Sequence, residues 1–292
     1  MSNTNTDYIV CIPSYKRSTI CNDKTLTMLK KNNIASEKIY VYVANKEEYD
    51  EYIKVLDKTY YHQLIIGKKG LVNQKQFIME SWKEGKHIVF FDDDVASIDL
   101  SLSPLFKKHN LDYFMKYAFK ECVKEHSYMW GVYAVFNPFF RKPKKEISKD
   151  LTFIVGAFYG IINRPKLNSI KLNITTKEND QKDDVERTIK YYIEDGIVLR
   201  FNKIGFITKY YGNEGGMGKF EDRIQHAKGS SKRLKEKYPE YGDIKIRKNG
   251  MYEFSLRKNP HKKTDDVDDG IVLNNTKKNN LRKRHNKTKK NK

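Results

Sequence analysis

Apolar positions along the chain fall into short continuous runs separated by longer amphipathic stretches. "YIVCI", Tyr8 to Ile12, reads as a strand that Pro13 ends. From Lys24, the spacing of Leu26, Met28 and Leu29 predicts a helix stopped by Asn32 and Asn33. Lys38 to Ala44 reads as a second strand. "KEEYDEYIKVLDKTY" reads as a helix with Tyr49, Tyr52, Ile53 and Leu56 on one side, and "HQLIIG" as a third strand ending at Gly67. "LVNQKQFIMESWKEG" reads as a helix ended by Gly85, and "HIVFFDDD" as the fourth strand. Strands alternating with helices imply an α/β fold whose sheet is mainly parallel, with right-handed crossovers. Continuous apolar runs imply that both sheet faces are covered.

The pattern becomes more mixed after the fourth strand. Leu111 to His126 reads as a helix, and "MWGVYAVFNPFF" as a strand or a pair of strands. "RKPKKEISKD" reads as a charged loop, and "LTFIVGAFYGIINR" as another strand pair carrying Gly156 and Gly160. "KENDQKDDVERTIKYYIEDG" begins acidic and becomes a helix. "IVLRFNKIGFITKYYG" reads as a hairpin, "GNEGGMG" as a glycine loop and "EDRIQHAKGSSKRLKEKYPEY" as a basic helix. "IKIRKNGMYEFSLRK" predicts a final hairpin that turns at Asn249-Gly250. No internal repeat is present.

Composition narrows the class. A chain of 292 residues, 38% hydrophobic, can bury one large core or two small ones. No apolar run reaches the ~18 residues of a membrane span. "MSNTNTDYIVCIPSYKR" lacks the basic and apolar regions of a signal peptide. Cys11, Cys21 and Cys122 are too few and too irregular for a disulfide framework or a zinc site, and buried packing explains Cys11. A soluble protein of a reducing, intracellular compartment is expected. The net charge is +20; the tail Lys277 to Lys292 carries nine Lys or Arg and no acid, so without it +11 remains. That favours a polyanionic partner, although a coding bias towards Lys, Asn, Ile and Tyr gives the same excess. The tail reads as disordered: an electrostatic arm, a nuclear-import signal or a solubilising end.

Asp92, Asp93 and Asp94 follow the fourth strand directly. Three adjacent carboxylates repel one another, and a hard divalent cation, Mg²⁺ or Mn²⁺, offsets that repulsion. Such a cation also bridges the phosphates of a nucleotide. The plain alternative is one N-capping aspartate with two solvated neighbours. In open parallel sheets ligands bind beyond the carboxyl ends of the strands. Pro13 to Arg17 and Asp92 to Asp94 both lie at such ends, so one cleft is expected to hold both.

"VCIPSYKR", "IYVYVA" and "GLVNQKQFIMESWKEGKHIVFFDDDV" together resemble the nucleotide-sugar half of a GT-A glycosyltransferase, with the acidic triplet as its DxD motif. "IPSYKR", "YVANKEEYDEYI" and "FFDDDV" are most similar to the TET-associated glycosyltransferases, a family with viral members that includes the glucosyltransferase making base J. "FIVGAFYGIINR" and "DDVERTIKYYIEDGIVLRFN" follow that family's layout, so the resemblance covers residues 7–257. It implies one GT-A domain over 1–260: a Rossmann-like, mainly parallel sheet flanked by helices, with a nucleotide-sugar half at 7–100 and a mixed-strand acceptor half at 101–257. A basic disordered tail follows at 261–292.

The resemblance also implies roles. Pro13, Ser14, Tyr15 and Arg17 line the base, ribose and phosphates. Lys75-Gln76 stand where related enzymes carry "ARN", making Lys75 a donor contact, with an exposed helix lysine as the alternative. Asp94 binds the metal directly, Asp92 contacts ribose or a metal-bound water, and Asp93 supports them. His226 is a distant third metal ligand or an ordinary helix histidine. Asp183-Asp184 occupies the place of the "ED" pair of inverting enzymes, with Asp184 as general base; either residue can also open the helix as its cap. Gly215, Gly216 and Gly218 form a flap over the donor, with Arg223 behind it reaching phosphate. The "QxxRW" segment of processive sugar polymerases is absent from the sequence.

The expected activity is therefore inverting, metal-dependent transfer of a hexose, glucose from UDP-glucose, to a hydroxymethyl pyrimidine in DNA. Chemistry on a base requires it to leave the stack, and Trp130, Tyr133, Phe139 and Phe140 offer rings for it, or simply core. Two alternatives stay open at this level: a GT-A enzyme acting on protein or glycan, and a non-catalytic nucleic-acid-binding module.

Overall fold

The computed structural model of the protein describes residues 7–172, 181–208, 220–258 and 260. β1 (Tyr8–Pro13) is followed by α1 (Ser18–Ile20), which runs through a π-helical turn, Cys21–Leu26, into α2 (Thr27–Lys31). The helix stops where its asparagines predict, with Asn33 in the left-handed region at φ 55°. β2 (Ile39–Val43) leads to α3 (Lys46–Val55), capped by Asn45, whose side chain accepts from Glu48 N. α3 ends earlier than its sequence suggests. Leu56 turns extended to enter the core, and Asp57 closes the next turn on Thr59 N at 2.8 Å. β3 (Gln63–Ile66), α4 (Leu71–Glu80) and β4 (His87–Phe91) complete the first half. α4 also stops short of Gly85, because Trp82 leaves the helix to pack on Tyr40 and donate to Tyr42 Oη at 3.0 Å.

The second half contains β5 (Ser97–Asp99), α5 (Leu111–Lys124), β6 (Met129–Val132), α6 (Pro138–Arg141), β7 (Ile147–Lys149) and β8 (Phe158–Ile162). α7 (Asp183–Asp195), β9 (Leu199–Phe201), β10 (Gly205–Ile207), α8 (Phe220–Lys237), β11 (Gly242–Ile246) and β12 (Tyr252–Leu256) follow. Strands of both halves share one eight-stranded sheet, ordered β3-β2-β1-β4-β8-β6-β9-β7. β1 to β4 pair in parallel, and β8 enters antiparallel beside β4, with Phe158 opposite Phe91. This is the α/β layout expected: a mainly parallel sheet flanked by helices, with mixed strands in the second half.

Alternation along the strands splits the core in two. Val10, Ile12, Val89 and Phe91 face α2, α3 and α5, where Leu29, Tyr52, Phe114 and Phe119 pack. Ile9, Cys11, Ile88 and Phe90 face α4 and α7 through Ile78 and Tyr191. Each face buries apolar area at about 25 cal/mol per Å², which explains why the strands read as unbroken apolar runs. α8 and β12 add a smaller cluster in which Leu234, Tyr238 and Phe254 meet Val185 and Ile189 of α7.

Of the strand or pair of strands expected in "MWGVYAVFNPFF", one strand, β6, is present, followed by the short α6, because Asn137 caps a turn through Phe139 N at 2.9 Å. Three other local expectations are corrected. "LTFIVGAFYGIINR" likewise contains one strand, β8. The charged loop "RKPKKEISKD" contains β7 and a fully buried Arg141, which donates to Lys203 O at 2.9 Å and pairs with Asp99. β9 and β10 do not form a hairpin: β9 enters the main sheet between β6 and β7, and β10 pairs with β5. The last hairpin, β11 to β12, is present, and Gly250 takes φ 81° at its turn.

Candidate active site

The carboxyl ends of β1 and β4 lie side by side because the two strands are parallel and adjacent. The acidic triplet is therefore brought to the loop after β1, as expected. Asp93 is buried there, accepting from Ser14 Oγ at 2.6 Å and from Arg17 Nη1 at 2.9 Å. Arg17 Nη1 also lies 3.6 Å from Asp94 Oδ2. Arg17, expected at phosphate, thus offsets the carboxylate repulsion from within the protein. Burial still raises the Asp93 carboxyl above its ordinary value, against the pull of Arg17.

The loop after β1 is itself held from α3. Ser14 Oγ and Tyr52 Oη share a hydrogen bond of 2.7 Å, and Arg17 N donates to Tyr52 Oη at 2.9 Å. Lys16 sits in the left-handed region at φ 54°, with its N–H donating to Glu48 Oε2 at 2.8 Å. The Ser14 hydroxyl is therefore committed inward, while Pro13 is buried as the last residue of β1 and Tyr15 stays partly exposed. Thr25 pins the acidic loop from α2's side: its Oγ1 donates to Asp92 O at 2.7 Å and accepts from Val95 N at 2.9 Å. Thr208, just after β10, donates to Asp94 Oδ1. Thr25 and Thr208 escape a sequence reading, since each is one ordinary polar residue in an unremarked position, and Tyr52 reads there only as part of the apolar side of its helix.

Asp92 differs from its neighbours. Its backbone N–H donates to Ala157 O at 3.0 Å, but no described residue donates to its carboxylate. Burial raises that carboxyl to about 7; Lys75 opposes the rise, and the Asp94 and Asp93 charges add to it. A crowded carboxylate without a protein donor suits a hard cation. Mg²⁺ characteristically takes one or two carboxylates and leaves its other positions to water and phosphate. Asp92 and Asp94 fit that demand. His226 lies on α8, and no group of three or more His, Cys, Asp or Glu side chains arranged for a metal occurs among the described residues. The distant third ligand is thus not brought into such a group.

The acid pair opens α7, where carboxylates are favoured by the helix dipole. Neither carboxylate caps the helix; the N-cap residue is Lys182, left-handed at φ 65°. Asp183 Oδ2 accepts from Lys75 Nζ at 3.1 Å and from Arg187 Nη1 at 3.0 Å. Burial disfavours its charge, but those two cations outweigh burial and hold its carboxyl at about 2. Asp184 Oδ2 accepts from Gly156 N at 3.3 Å, and its Oδ1 from Val185 N at 2.9 Å. Burial, and then the neighbouring Asp183 charge, raise the Asp184 carboxyl. Two adjacent aspartates are thus pushed in opposite directions: Asp183 is a fixed anion, and Asp184 is shifted towards proton acceptance.

Lys75, expected to contact the donor, is buried on α4 and reaches across to Asp183, 108 positions along the chain. Trp130 is buried among Phe114, Phe119, Phe158 and Phe201, and Tyr133 is buried as well, so neither offers a free ring. Phe139 is 76% exposed and Phe140 partly exposed. Arg223 is buried on α8. Gly215, Gly216, Gly218 and the basic tail lie outside the described residues. No described helix is long and apolar enough to cross a membrane.

No family model matches the chain, and no curated protein does. Solved structures match it at low identity. GalNAc-T7 with UDP, GalNAc and Mn²⁺ is 13% identical over 82% of this chain and 50% of its own, with a TM-score of 0.47. The mannosyltransferase PcManGT from Pyrobaculum calidifontis, in complex with GDP-Man and Mn²⁺, is 10% identical over 80% of this chain and 64% of its own, with a TM-score of 0.45. Glucosyl-3-phosphoglycerate synthase from Mycobacterium tuberculosis, with Mn²⁺, UDP-glucose and phosphoglyceric acid, is 9% identical over 85% of this chain and 86% of its own, also at 0.45. The chain spans 65% of the length of S. aureus TarS 1–349.

Proposed function

We propose that the protein is an inverting, metal-dependent GT-A glycosyltransferase that moves a hexose from a nucleotide sugar, UDP-glucose, to a hydroxymethyl pyrimidine in DNA. One observation carries the catalytic part. Consecutive residues hold the two acidic motifs: Gly156 N donates to Asp184, and Ala157 O accepts from Asp92 N. Asp92 and the proposed general base Asp184, 92 positions apart in the chain, are thereby held by neighbouring residues, which supports reading them as one site.

In this reading Asp94 and Asp92 would hold Mn²⁺ or Mg²⁺, which would supply positive charge for the leaving diphosphate. Tyr15 lies against the nucleotide. Asp184 takes the proton of the acceptor hydroxyl as that oxygen attacks the sugar carbon from the side opposite the diphosphate. Asp183, ionised and braced by Lys75 and Arg187, keeps Asp184 in place and disfavours a second charge beside it. The DNA acceptor rests on the resemblance to the TET-associated family and on the charge of +11 that remains without the tail. The buried, free thiols of Cys11, Cys21 and Cys122 suit a reducing compartment.

The test is transfer from UDP-glucose, with Mn²⁺, to duplex DNA containing 5-hydroxymethyl pyrimidines, followed by mass spectrometry of the nucleosides. A hexose on the modified base is expected. Metal-dependent UDP release without that product would move the acceptor to protein or glycan.

A further inference from the structure

The chain leaves the carboxyl end of β6 at Val132 and re-enters the sheet at Ile147 of β7, opposite Phe201 at the carboxyl end of β9. β6 runs parallel to β4, with β8 antiparallel between them. Residues 133–146 therefore lie on the same sheet edge as the acidic triplet. At about 4.8 Å per strand, the segment starts about 10 Å across the sheet from the end of β4. Val135 to Phe139 are five consecutive exposed residues, with Val135 at 40%, Phe136 at 38% and Phe139 at 76%. Single exposed apolar side chains are ordinary, whereas a contiguous run marks a contact surface. The run is also held in shape. Asn137 caps its turn, Phe140 packs edge-on against Phe139 at 5.2 Å, and the buried Arg141 ties it to Asp99 and Lys203 O.

We propose that this face docks nucleic acid, with the Phe139 ring stacking on a base that has left the helix and Lys142 and Lys145 on the adjoining phosphates. The assignment rests on the DNA acceptor proposed above. Charge selects the partner. Residues 135–145 hold four basic side chains and no acid. Arg141 is paired inside with Asp99, but Lys142 forms no ion pair with a described acid, and Lys145 lies 3.9 Å from Asp150. An exposed ring beside lysines matches a polynucleotide, because every base offers a π-face and every linkage a phosphate. A ring already fixed by its turn binds without a large ordering cost. The face also shares its sheet edge with Asp184, which Gly156 holds just before β8, and that is where the acceptor hydroxyl must arrive.

Fluorescence anisotropy with the full chain tests this. The probes are a labelled duplex with one central mismatch and the same duplex fully paired; a mismatched base leaves the stack more easily. Wild type should prefer the mismatched duplex. Phe139→Ala should weaken mismatched binding about fivefold or more and leave paired binding nearly unchanged, while Phe139→Trp keeps the preference. The double variant Lys142→Ala, Lys145→Ala should weaken both duplexes alike and lower the log–log salt slope by about two. Thermal melting checks folding, and the exposed ring can be removed without opening the core. A wild type that binds both duplexes equally, or a Phe139→Ala that keeps the full preference or weakens both duplexes alike, overturns the assignment. So does Phe139→Ala losing binding to phosphatidylserine–phosphatidylcholine vesicles while keeping wild-type DNA binding, which would give the face to a membrane. Wild type that binds neither duplex overturns the DNA acceptor itself, and this assignment with it.

Discussion

At the residue scale, the acid pair shows how identical side chains acquire different roles. Two cations bind Asp183 and hold its carboxyl down, whereas burial and then the Asp183 charge raise that of Asp184, so of the pair only Asp184 has a raised proton affinity. Asp184→Asn is expected to lower kcat by about 10²- to 10⁴-fold, the usual contribution of a general base, while Mn²⁺-dependent donor binding persists in titration. Loss of donor binding in that variant would show that Asp184 is not the base. His87 supplies a second residue-scale expectation. It is buried, stacks on Phe119 at 4.3 Å and has no partner for Nδ1; burial, then the Lys86 charge, lowers its pKa to about 4. The unfolded chain protonates this histidine near its ordinary value of about 6.5 while the folded chain does not. Its contribution is therefore complete above that value and is lost as pH falls from about 6.5 to 4. Urea unfolding across that window should show His87→Phe to be less acid-sensitive than wild type, and parallel curves would refute the assignment.

At the element scale, α7 is the part to perturb, because it carries Asp183, Asp184 and Arg187 together. α8 holds it through Glu186, which is fully buried and accepts from Arg233, from Lys237 at 2.9 Å and from Tyr238 Oη at 3.1 Å. Removing one partner of a buried pair strands the other charge. Glu186→Ala should therefore destabilise the fold by about 3 kcal/mol in urea. Gly160 tests the sheet in the same way. A methyl there would lie 2.3 Å from Trp130 Nε1, so Gly160→Ala forces the indole or the β6–β8 pairing to shift. About 2 kcal/mol of destabilisation is expected, read as a lower urea midpoint. The elements themselves were largely legible, because a strand buried on both faces must be an apolar run and a helix must repeat its apolar positions every three to four residues. The failures share one cause. β9 and β10 follow each other closely and read as a hairpin, but β9 gains more by entering the main sheet between β6 and β7. Arg141 sits among lysines and a proline and reads as solvated, yet Asp99 and Lys203 O, distant in sequence, bury it.

At the scale of the whole molecule, positive charge is the property that bears on the partner. A body of +11 with nine further basic residues in Lys277 to Lys292 should bind duplex DNA with a strong salt dependence. Between 50 and 200 mM salt the affinity is expected to fall about 10³-fold or more, and deletion of Lys277 to Lys292 should make the slope shallower. A flat salt response would argue against a nucleic-acid acceptor.

The sequence by itself determined where most of the longer strands and helices run and that three carboxylates stand at the end of β4. Those features depend on local pattern: apolar continuity, helical spacing, and turn residues such as Asn33 and Gly250. Only the tertiary structure decided what each charge meets. Arg17 turned out to neutralise Asp93, Lys75 to brace Asp183, and the Gly156 N–H to hold Asp184. Those partners lie tens to more than a hundred positions apart in the chain. Sheet order and helix packing bring them together, and no local pattern records which polar group will face which.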